Sequence, residues 1–322
     1  MTAPVGIPGA PAVTALGGGH GLFASLSALR LMSDRLTAVV TVADDGGSSG
    51  RLRDELDVLP PGDLRMALAA LCDDSEWGRT WSDLLQHRFV SGGSLDKHAM
   101  GNLMIVALWE LLGDTVTGLD WVGRLLGARG RVLPMASVPL VVEADVRGGD
   151  GAALDTVVGQ SRVAVTEGRI EQLRLVPADP PACPEAVEAV RAADWVVLGP
   201  GSWYSSVLVH LLVPELATAL LETDARVCVT LNLAAERGET QGLTATDHLE
   251  ALSRHAPGLR VDAVLADPSA VEDVDELADA AQAVGARLLM RQVRRGDGTA
   301  RHDPLRLAAA YRDVFEGVYG DV

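Results

Sequence analysis

Aromatic residues, lysine and cysteine are all scarce in this sequence. The scarcity of aromatic residues and of cysteine limits the kind of core and of covalent cross-link that the protein can have. Aromatic residues make up 4% of the 322 residues and hydrophobic residues 48%, so a core has to be built mainly from aliphatic side chains. The three cysteines, Cys72, Cys183 and Cys228, lie far apart without metal-ligand spacing. Because their number is odd, a disulfide framework is disfavoured. We interpret them as core residues in a reducing cytoplasm.

Positive charge is also scarce, since 44 acidic residues outnumber 27 basic ones and the formal net charge is −17. Nucleic acids and anionic membranes attract basic surfaces, so both are disfavoured as partners. No apolar run reaches the roughly 18 residues that a membrane-spanning helix needs. Residues 1–12 lack the basic start and apolar core of a signal peptide and are predicted to be a flexible tail. We therefore expect a cytoplasmic protein without membrane insertion.

Several catalytic signatures are missing as well. There is no G-x-x-x-x-G-K-[ST], which argues against a P-loop NTPase. The G-x-G-x-x-G fingerprint of dinucleotide enzymes is incomplete, because Leu22 stands where its third glycine would fall. No H-E-x-x-H, Ser-His-Asp order or Cys-His cluster emerges. Catalytic residues therefore stay unassigned, and the sequence indicates a binding site more clearly than a reactive one.

What the sequence does contain is a strand that runs into a glycine turn and a helix. The segment Val13–Leu22 has this pattern, and a second strand, Leu36–Val42, ends in the acidic, glycine-rich loop Ala43–Gly50. This order is the entry unit of a doubly wound nucleotide-binding sheet. Backbone N–H groups can approach a phosphate closely where no Cβ intervenes. We therefore predict ligand contacts from the first turn, namely Gly17, Gly18, Gly19, His20 and Gly21.

Short apolar segments farther along the chain have the continuous character of strands inside a parallel sheet. They are Asp194–Leu198, Arg226–Leu231, Val261–Ala266 and Arg287–Val293, with helical segments between them. We predict an α/β fold, a Rossmann-like, doubly wound and mostly parallel sheet, as a single domain over residues 13–322. A helical elaboration is expected over about residues 51–127. Ser161–Thr166 and Ile170–Val176 are expected to form a small β-hairpin.

Two details of the helical segment concern a site. Asp63 is predicted to cap a helix over Leu64–Cys72. His98 and Asn102 are one helical turn apart in a predicted helix over His98–Leu112, so their side chains should point the same way. Asn102 is either a satisfied core residue or a ligand contact.

In an open α/β sheet the ligand crevice lies beyond the carboxyl ends of the strands. Four predicted strands end in glycine-rich or polar sequence. These segments are Gly17–Gly21, Asp44–Gly50, Gly199–Ser202, and Asn232 with Glu236–Thr240. Gly199, Gly201 and Ser202 offer backbone N–H groups and a hydroxyl at a helix start, which favours a second phosphate cradle. Asp44 lies where an acid usually meets ribose hydroxyls, and Asp45 either does the same or binds Mg²⁺.

Five further residues are candidates, and three of them carry open alternatives. Ser48 and Ser49 suit an anion-binding loop, and Arg51 either pairs with phosphate or lies on a surface face. His20 either contacts the ligand or simply tolerates a left-handed turn. Arg301 either reaches the crevice or only begins the last helix.

Taken in order, these motifs resemble those of the CofD/YvcK-like family, and specifically its YvcK branch, the gluconeogenesis factors. The segments that carry the resemblance are Gly17–Leu22, Val42–Gly50, Pro60–Arg65, His98–Leu103, Gly199–Ser202, Gly238–Thr240 and Asp247-His248. The resemblance implies a Rossmann-like fold. The CofD branch transfers a phospholactyl-type group from a nucleotide donor with Mg²⁺. The YvcK branch binds UDP-sugars and is tied to cell shape and wall-precursor supply on gluconeogenic carbon.

The resemblance therefore implies a cytoplasmic regulatory protein that binds a nucleotide sugar. The diphosphate would rest on Gly17–Gly21 and Gly199–Ser202, Asp44 would meet ribose, and Asn102, Asn232 and Arg301 would supply polar contacts and positive charge. The alternative is a Mg²⁺-dependent transferase in which Asp44, Asp45 or Asp63 holds the metal and His98 is the base. A third alternative is an interaction scaffold. A homodimer is expected on the frequency of symmetric dimers alone.

Three residues depart from the branch pattern. His20 stands where threonine is usual, Met66 stands where asparagine is usual, and Lys97, the sole lysine, replaces a glycine. All three positions touch the expected pocket.

Overall fold

Ten strands form two sheets in the computed structural model of the protein, which describes residues 9–148, 154–234 and 238–319. The strands are β1 (Val13–Gly17), β2 (Leu36–Val40), β3 (Arg131–Pro134), β4 (Val141–Arg147), β5 (Leu154–Val158), β6 (Arg169–Val176), β7 (Trp195–Leu198), β8 (Arg226–Thr230), β9 (Ala263–Ala266) and β10 (Arg287–Met290). The larger sheet has the order β10-β9-β8-β7-β1-β2-β3, and all of its strand pairs are parallel. The smaller sheet, β5-β4-β6, is antiparallel.

The order of the larger sheet reverses at its middle. The chain begins at β1, moves outward to β2 and β3, and later returns to place β7 on the other side of β1. A doubly wound sheet binds its ligand at such a switch point, beyond the carboxyl ends of the strands. The segments that follow the two central strands are Gly17–Gly21 and Gly199–Ser202. The fold therefore places both predicted glycine segments at the same end of neighbouring strands.

Helices connect the strands and cover the sheet. They are α1 (Gly19–Leu29), α2 (Gly47–Leu56), α3 (Gly62–Leu71), α4 (Glu76–Gln86), α5 (Met100–Leu112), α6 (Thr115–Leu126), α7 (Gln160–Val163), α8 (Pro184–Arg191), α9 (Pro214–Glu222), α10 (Ala245–His255), α11 (Val274–Ala283) and α12 (Pro304–Glu316). Side-chain caps explain several starts: Asp114 accepts from the N–H of Thr117 at 2.7 Å before α6, and Asp303 accepts from two N–H groups at the start of α12.

The core lies on both faces of the larger sheet and is aliphatic, as the composition indicates. Every residue of β1 and β7 is buried, which explains why these strands have continuous apolar sequence. A buried tyrosine ties three elements together, because the hydroxyl of Tyr311 lies 2.8 Å from the Ser25 hydroxyl on α1 and 3.0 Å from that of Thr230 on β8. The three cysteines are free and buried. The predicted mostly parallel α/β sheet with a small antiparallel elaboration is thus confirmed.

Three local predictions are wrong. Ser161–Thr166 is not a strand, since α7 occupies its beginning, and β6 pairs instead with β4. The helix expected from His98 begins at Met100, which leaves His98 outside it. Asp63 does not cap a helix, because α3 already begins at Gly62 and Asp63 lies in its first turn. The predicted tail lies mostly outside the described residues.

Among the described residues, no single helix is both long and apolar enough to cross a membrane. The segments Trp203–Leu212 and Pro214–Glu222 reach that length and composition only together, with an 83° bend between them.

Candidate functional site

The two glycine segments at the switch point pack directly against each other. A Cβ placed on Gly21 would lie 2.0 Å from the carbonyl oxygen of Pro200 and 2.5 Å from the Cα of Gly201. The neighbouring backbone therefore requires glycine at position 21. Gly17 is the last residue of β1, and Gly199 follows β7 with a φ of +75°. The structure thus joins the two segments into one wall of the crevice.

Asn232, just beyond β8, holds the second segment in place. Its Oδ1 accepts a hydrogen bond from the N–H of Gly201 at 2.8 Å, and its Nδ2 donates to the Gly201 carbonyl at 2.9 Å. Gly201 has a φ of +137°, a conformation that glycine favours. Both polar ends of Asn232 are therefore used to fix the backbone of the crevice wall. Glu236, the next predicted residue along this strand end, lies outside the described residues.

A buried carboxylate fills the helix start that follows β7. Glu239 is 2% exposed and accepts hydrogen bonds from the backbone N–H groups of Tyr204 at 3.0 Å and Ser205 at 3.2 Å. The turn is π-helical, and the Ser202 carbonyl accepts from the N–H groups of its last two residues. The expected second phosphate cradle relied on open N–H groups at this helix start. That expectation is corrected for the described contacts. The N–H groups of Gly199 and Gly201 donate to the Leu16 carbonyl and to Asn232 Oδ1, and Glu239 occupies those of Tyr204 and Ser205.

The first turn is closed on one side and open on the other. A Cβ on Gly18 would lie 2.5 Å from both the Asp63 carboxylate and the Thr41 side chain, so this side is filled. Gly19 has a φ of +56°, and a Cβ there would meet nothing within 4 Å. No side chain caps α1, which begins at Gly19. The open side therefore presents the amino end of α1, where an anion is favoured, although the Gly19 N–H itself is bonded to the Asp63 carboxyl group behind the turn.

Asp44 and Asp63 form a pair of carboxyl groups behind the first turn. Burial, followed by the negative charge of Asp44, raises the pKa of Asp63 to about 7 against the hydrogen bond from the Gly19 N–H. Burial also raises the pKa of Asp44, although its Oδ1 accepts from the Gly46 N–H at 2.9 Å. A Cβ on Gly62 would lie 2.7 Å from Asp44 Oδ2, so α3 begins in contact with this carboxylate. The pair can hold a proton at neutral pH.

Ser48 is the centre of a buried network that joins His98 and Asn102. The Ser48 Oγ lies 3.0 Å from His98 Nδ1 and accepts from Asn102 Nδ2 at 3.0 Å. Asn102 Nδ2 also approaches Ser49 Oγ at 3.5 Å, and its Oδ1 accepts from Arg65 Nε at 2.9 Å. Asn102 is 1% exposed and its amide is hydrogen-bonded within the protein. Of the two roles considered for it, the structure therefore favours that of a satisfied core residue. Burial lowers the pKa of His98, which keeps its ring neutral.

Asp45 and Arg51 face away from the crevice. Asp45 Oδ1 accepts from the Ser161 N–H at 2.9 Å and so stabilises the start of α7. The exposed Arg51 donates to the carbonyls of Asp96 at 2.7 Å and Ser94 at 3.3 Å. Of the three aspartates considered as alternatives for Mg²⁺, Asp45 is thus engaged with α7, whereas Asp44 and Asp63 lie together behind the first turn. In the described ranges no group of three or more His, Cys, Asp or Glu residues is arranged to hold a metal ion.

A cavity of about 460 Å³ opens at the carboxyl edge of the sheet, between the first turn and a late segment of the chain. Its lining includes His20, Gly21, Phe23, Pro200, Gly201, Asn232, Arg295, Arg301 and His302. Sequence reasoning assigned His20 and Arg301 to the crevice but missed Arg295 and His302. The signal available was the run of arginines before the Gly296–Gly298 loop.

The late segment, residues 291–303, forms an arm over this cavity. An isolated antiparallel bridge pairs Arg294 with His302, and the Arg295 N–H donates to the Arg301 carbonyl at 2.9 Å. Asp267, which follows β9 and is 3% exposed, accepts from the Arg294 N–H at 2.8 Å and from the neighbouring Val293 N–H at 2.7 Å. Asp267 therefore anchors the arm to the sheet.

A larger cavity of about 660 Å³ lies at the opposite, amino edge of the sheet. Trp195 and Arg226 line it, and the Arg226 guanidinium lies 5.1 Å from the Trp195 ring centroid. Because doubly wound sheets bind ligands at the carboxyl edge, the smaller cavity is the candidate site.

Comparison with known proteins agrees with this architecture. The family described as 2-phospho-L-lactate transferase CofD matches residues 13–294. A Mycobacterium tuberculosis protein named "Putative gluconeogenesis factor" is 52% identical over 311 residues, covering 95% of this chain and 90% of its own. The Bacillus subtilis "Gluconeogenesis factor" is 34% identical over 320 residues, covering 95% of this chain and 98% of its own.

A solved structure leads to the same assignment. The crystal structure of a UPF0052 family member from Bacillus halodurans superposes with a TM-score of 0.83 at 34% sequence identity, covering 92% of this chain and 97% of that one. Sequence and fold therefore point to one group of proteins. The chain belongs to the CofD family, among the members that are named gluconeogenesis factors.

Proposed function

We propose that this protein binds a nucleotide sugar of the UDP-sugar class in the cavity at the carboxyl edge of the sheet. The observation that carries the proposal is the cavity's position: it opens at the switch point between β1 and β7, with the first glycine turn on one wall and two arginines on the other. Its volume of about 460 Å³ falls in the range of small-molecule sites.

Charge within the cavity supports a ligand that carries phosphate. The protein has a formal net charge of −17, so a free anion needs local compensation to bind. Arg295 and Arg301 provide two exposed guanidinium groups on the arm, and the amino end of α1 adds a favourable dipole. Phe23 and Pro200 give apolar surface for a base or a sugar ring. This combination matches a nucleotide sugar better than a simple anion.

The relatives' names support a role in gluconeogenesis, and the motif resemblance to the YvcK branch supports the rest of the proposed role. We infer a cytoplasmic regulatory protein that responds to a nucleotide sugar and adjusts carbon flow toward wall precursors and cell shape during gluconeogenic growth. A homodimer remains our expectation. The site's geometry supports binding and positioning, and the proposal assigns no reaction to it.

The second candidate is a Mg²⁺-dependent transferase, and one observation favours it. Asp44 and Asp63 are neighbouring carboxyl groups whose mutual repulsion a divalent cation would relieve. Mg²⁺ commonly binds through one or two carboxylates together with substrate phosphates, so these two aspartates have the right number and type of ligand groups. Bound Mg²⁺ would neutralise phosphate charge in such a reaction. The Ser48 contact would hold the neutral His98 in position as a base.

Isothermal titration calorimetry separates the two candidates. The purified protein is titrated with UDP-N-acetylglucosamine, UDP-glucose and, as a control, GDP, each with Mg²⁺ and with EDTA. Micromolar binding that is selective for UDP ligands and unchanged by EDTA is the result expected for the regulator. Binding of GDP that requires Mg²⁺ would contradict the regulator and support the transferase. No binding of any nucleotide at millimolar concentration would contradict both.

A further inference from the structure

The strand β5 is an exposed edge of the smaller sheet. Among the described strands it pairs only with β4, and all of its residues except Val157 are exposed. Two of the exposed side chains are apolar, Leu154 at 48% and Val158 at 41%. An open edge strand is a template for pairing with another chain, so proteins either protect such a strand or give it a partner.

The usual protections of an edge strand are missing from β5. Proline and basic side chains discourage pairing at an edge. The other edge strands of the two sheets, β3, β6 and β10, each begin with arginine, and β3 ends in Pro134. β5 has the sequence Leu-Asp-Thr-Val-Val, which contains no arginine, lysine or proline and is rich in β-branched residues. Of the four edge strands, β5 is therefore the one best suited to accept a further strand.

The pairing of β5 with β4 shows which of its backbone groups face outward. In an antiparallel ladder, positions that exchange hydrogen bonds alternate with positions that do not. Gly159, which directly follows β5, donates its N–H to the Val142 carbonyl on β4 at 2.8 Å. Every second residue back along β5 shares this inward direction, so the remaining residues point their N–H and C=O groups away from β4. These residues are Leu154, Thr156 and Val158.

The outward positions of β5 are self-complementary. If two copies of β5 lie antiparallel about a twofold axis at Thr156, this residue faces its own counterpart, and Leu154 faces Val158 of the second copy. Each such pair exchanges two backbone hydrogen bonds and brings its side chains together on one face of the sheet. Asp155 then lies opposite Val157, so this register brings no two charges face to face in a protein with a net charge of −17. The strand thus matches a second copy of itself in an isologous contact.

We propose that β5 is the interface with a second copy of this chain and joins it edge to edge in this register. The two three-stranded sheets then form one continuous sheet, and Leu154 and Val158 of both copies cover each other as cross-strand pairs. One strand pair covers less than the roughly 800 Å² per partner of a standard interface, so the dimer depends on protein concentration. The proposal is independent of the ligand assigned to the crevice.

Sedimentation velocity over micromolar to submillimolar concentrations tests the proposal with wild type, Thr156→Pro and Thr156→Val. Wild type should move from the 33.7 kDa monomer toward a dimer as the concentration rises. Thr156→Pro removes an outward N–H at no cost in bonds to β4, so we expect at least about a tenfold rise in the dimer dissociation constant. Thr156→Val also loses the side-chain bond to Asp145 but keeps the N–H, and it should associate like wild type. A wild type that is monomeric throughout, or equal association of the two variants, would overturn the proposal.

Disulfide cross-linking tests the register even if the proline variant does not fold. Residues opposed in a bonded antiparallel pair have Cα atoms about 5.5 Å apart, a separation that a disulfide can bridge. Thr156→Cys should therefore form a covalent dimer on mild oxidation, whereas Thr218→Cys, exposed on α9, should not. The three native cysteines are buried and do not compete. Cross-linking of both variants at the same rate would contradict the edge-to-edge interface.

Discussion

Gly21 on α1 and Pro200 beyond β7 approach so closely that a Cβ on Gly21 would lie 2.0 Å from the Pro200 carbonyl oxygen. The contact joins the two halves of the sheet where their connections begin, in one wall of the candidate site. A glycine in a strand-to-helix turn is usually credited to phosphate binding. Here the neighbouring backbone is a sufficient reason for it.

Replacing Gly21 by alanine should therefore destabilise the whole protein. The added methyl group meets backbone, which cannot rotate away, so we expect a loss of about 1–3 kcal/mol in the free energy of unfolding, the range for overpacking. Urea unfolding measures it. Gly93→Ala is the matched control, because a Cβ there meets nothing within 4 Å. Equal stabilities of the two variants would show that the two segments separate easily.

Asp63→Asn should stabilise the protein at high pH. The folded pKa of Asp63, about 7, lies above the ordinary value of 3.8, so the folded state binds more protons between these values. Stability from this group is therefore complete below about pH 4 and declines as the pH rises toward 7. A shift of three units at about 1.4 kcal/mol each sets an upper bound of about 4 kcal/mol at pH 8.

Denaturant unfolding of wild type and Asp63→Asn across pH 4–8 measures this difference. The two free energies should converge near pH 4 and separate toward pH 8, with the asparagine variant the more stable. The exposed Asp54→Asn serves as the control for removing a charge. A pH-independent difference would mean that Asp63 is ionised throughout.

Glu239→Gln should destabilise the protein at neutral pH. The carboxylate accepts from the N–H groups of Tyr204 and Ser205, and a glutamine amide brings one N–H₂ group toward these donors. We expect a loss of about 1–3 kcal/mol, the cost of an unsatisfied buried hydrogen-bonding group. Thermal and urea unfolding measure it, with the exposed Glu250→Gln as control. Unchanged stability would indicate that this helix start does not need an anion.

Arg295→Ala combined with Arg301→Ala should weaken a phosphate-bearing ligand selectively. Both side chains line the cavity, and each charge-assisted contact with phosphate is worth more than a neutral hydrogen bond. We expect at least a tenfold rise in the dissociation constant for UDP-glucose and no change for uridine, which lacks phosphate. The exposed Arg254→Ala, on α10, controls for the change in net charge. Equal losses for UDP-glucose and uridine would place the phosphates elsewhere.

The strands and the crevice were predictable because they depend on local pattern. β1 and β7 are continuous apolar segments buried on both faces, and each is followed by glycine, so their ends could be located from sequence. The strand predicted over Ser161–Thr166 is wrong because of a contact from a distant part of the chain. Its alternating valines suit a strand, but Asp45, far away in sequence, binds the Ser161 N–H and stabilises a helical turn.

The directions of polar side chains were not predictable. Asp44 and Asp45 are adjacent in sequence, yet Asp44 contacts the start of α3 and Asp45 contacts the start of α7. Glu239 and Asp267 look like ordinary surface acids, and only the fold shows that each is buried against backbone N–H groups. Long-range hydrogen bonds of this kind leave no periodic trace in the sequence.

Glu239 has one more consequence, for the orientation of whatever lies in the crevice. The two glycine segments follow neighbouring parallel strands, and by position alone a ligand could lie across them in either direction. Each helix start has its own carboxyl group, but the two differ. Glu239 accepts from two N–H groups at one start, whereas Asp63 accepts from the Gly19 N–H at the other and, with a pKa of about 7, is partly protonated at neutral pH and repels a phosphate less. The crevice is therefore polar along its length, and it distinguishes the head of a ligand from its tail.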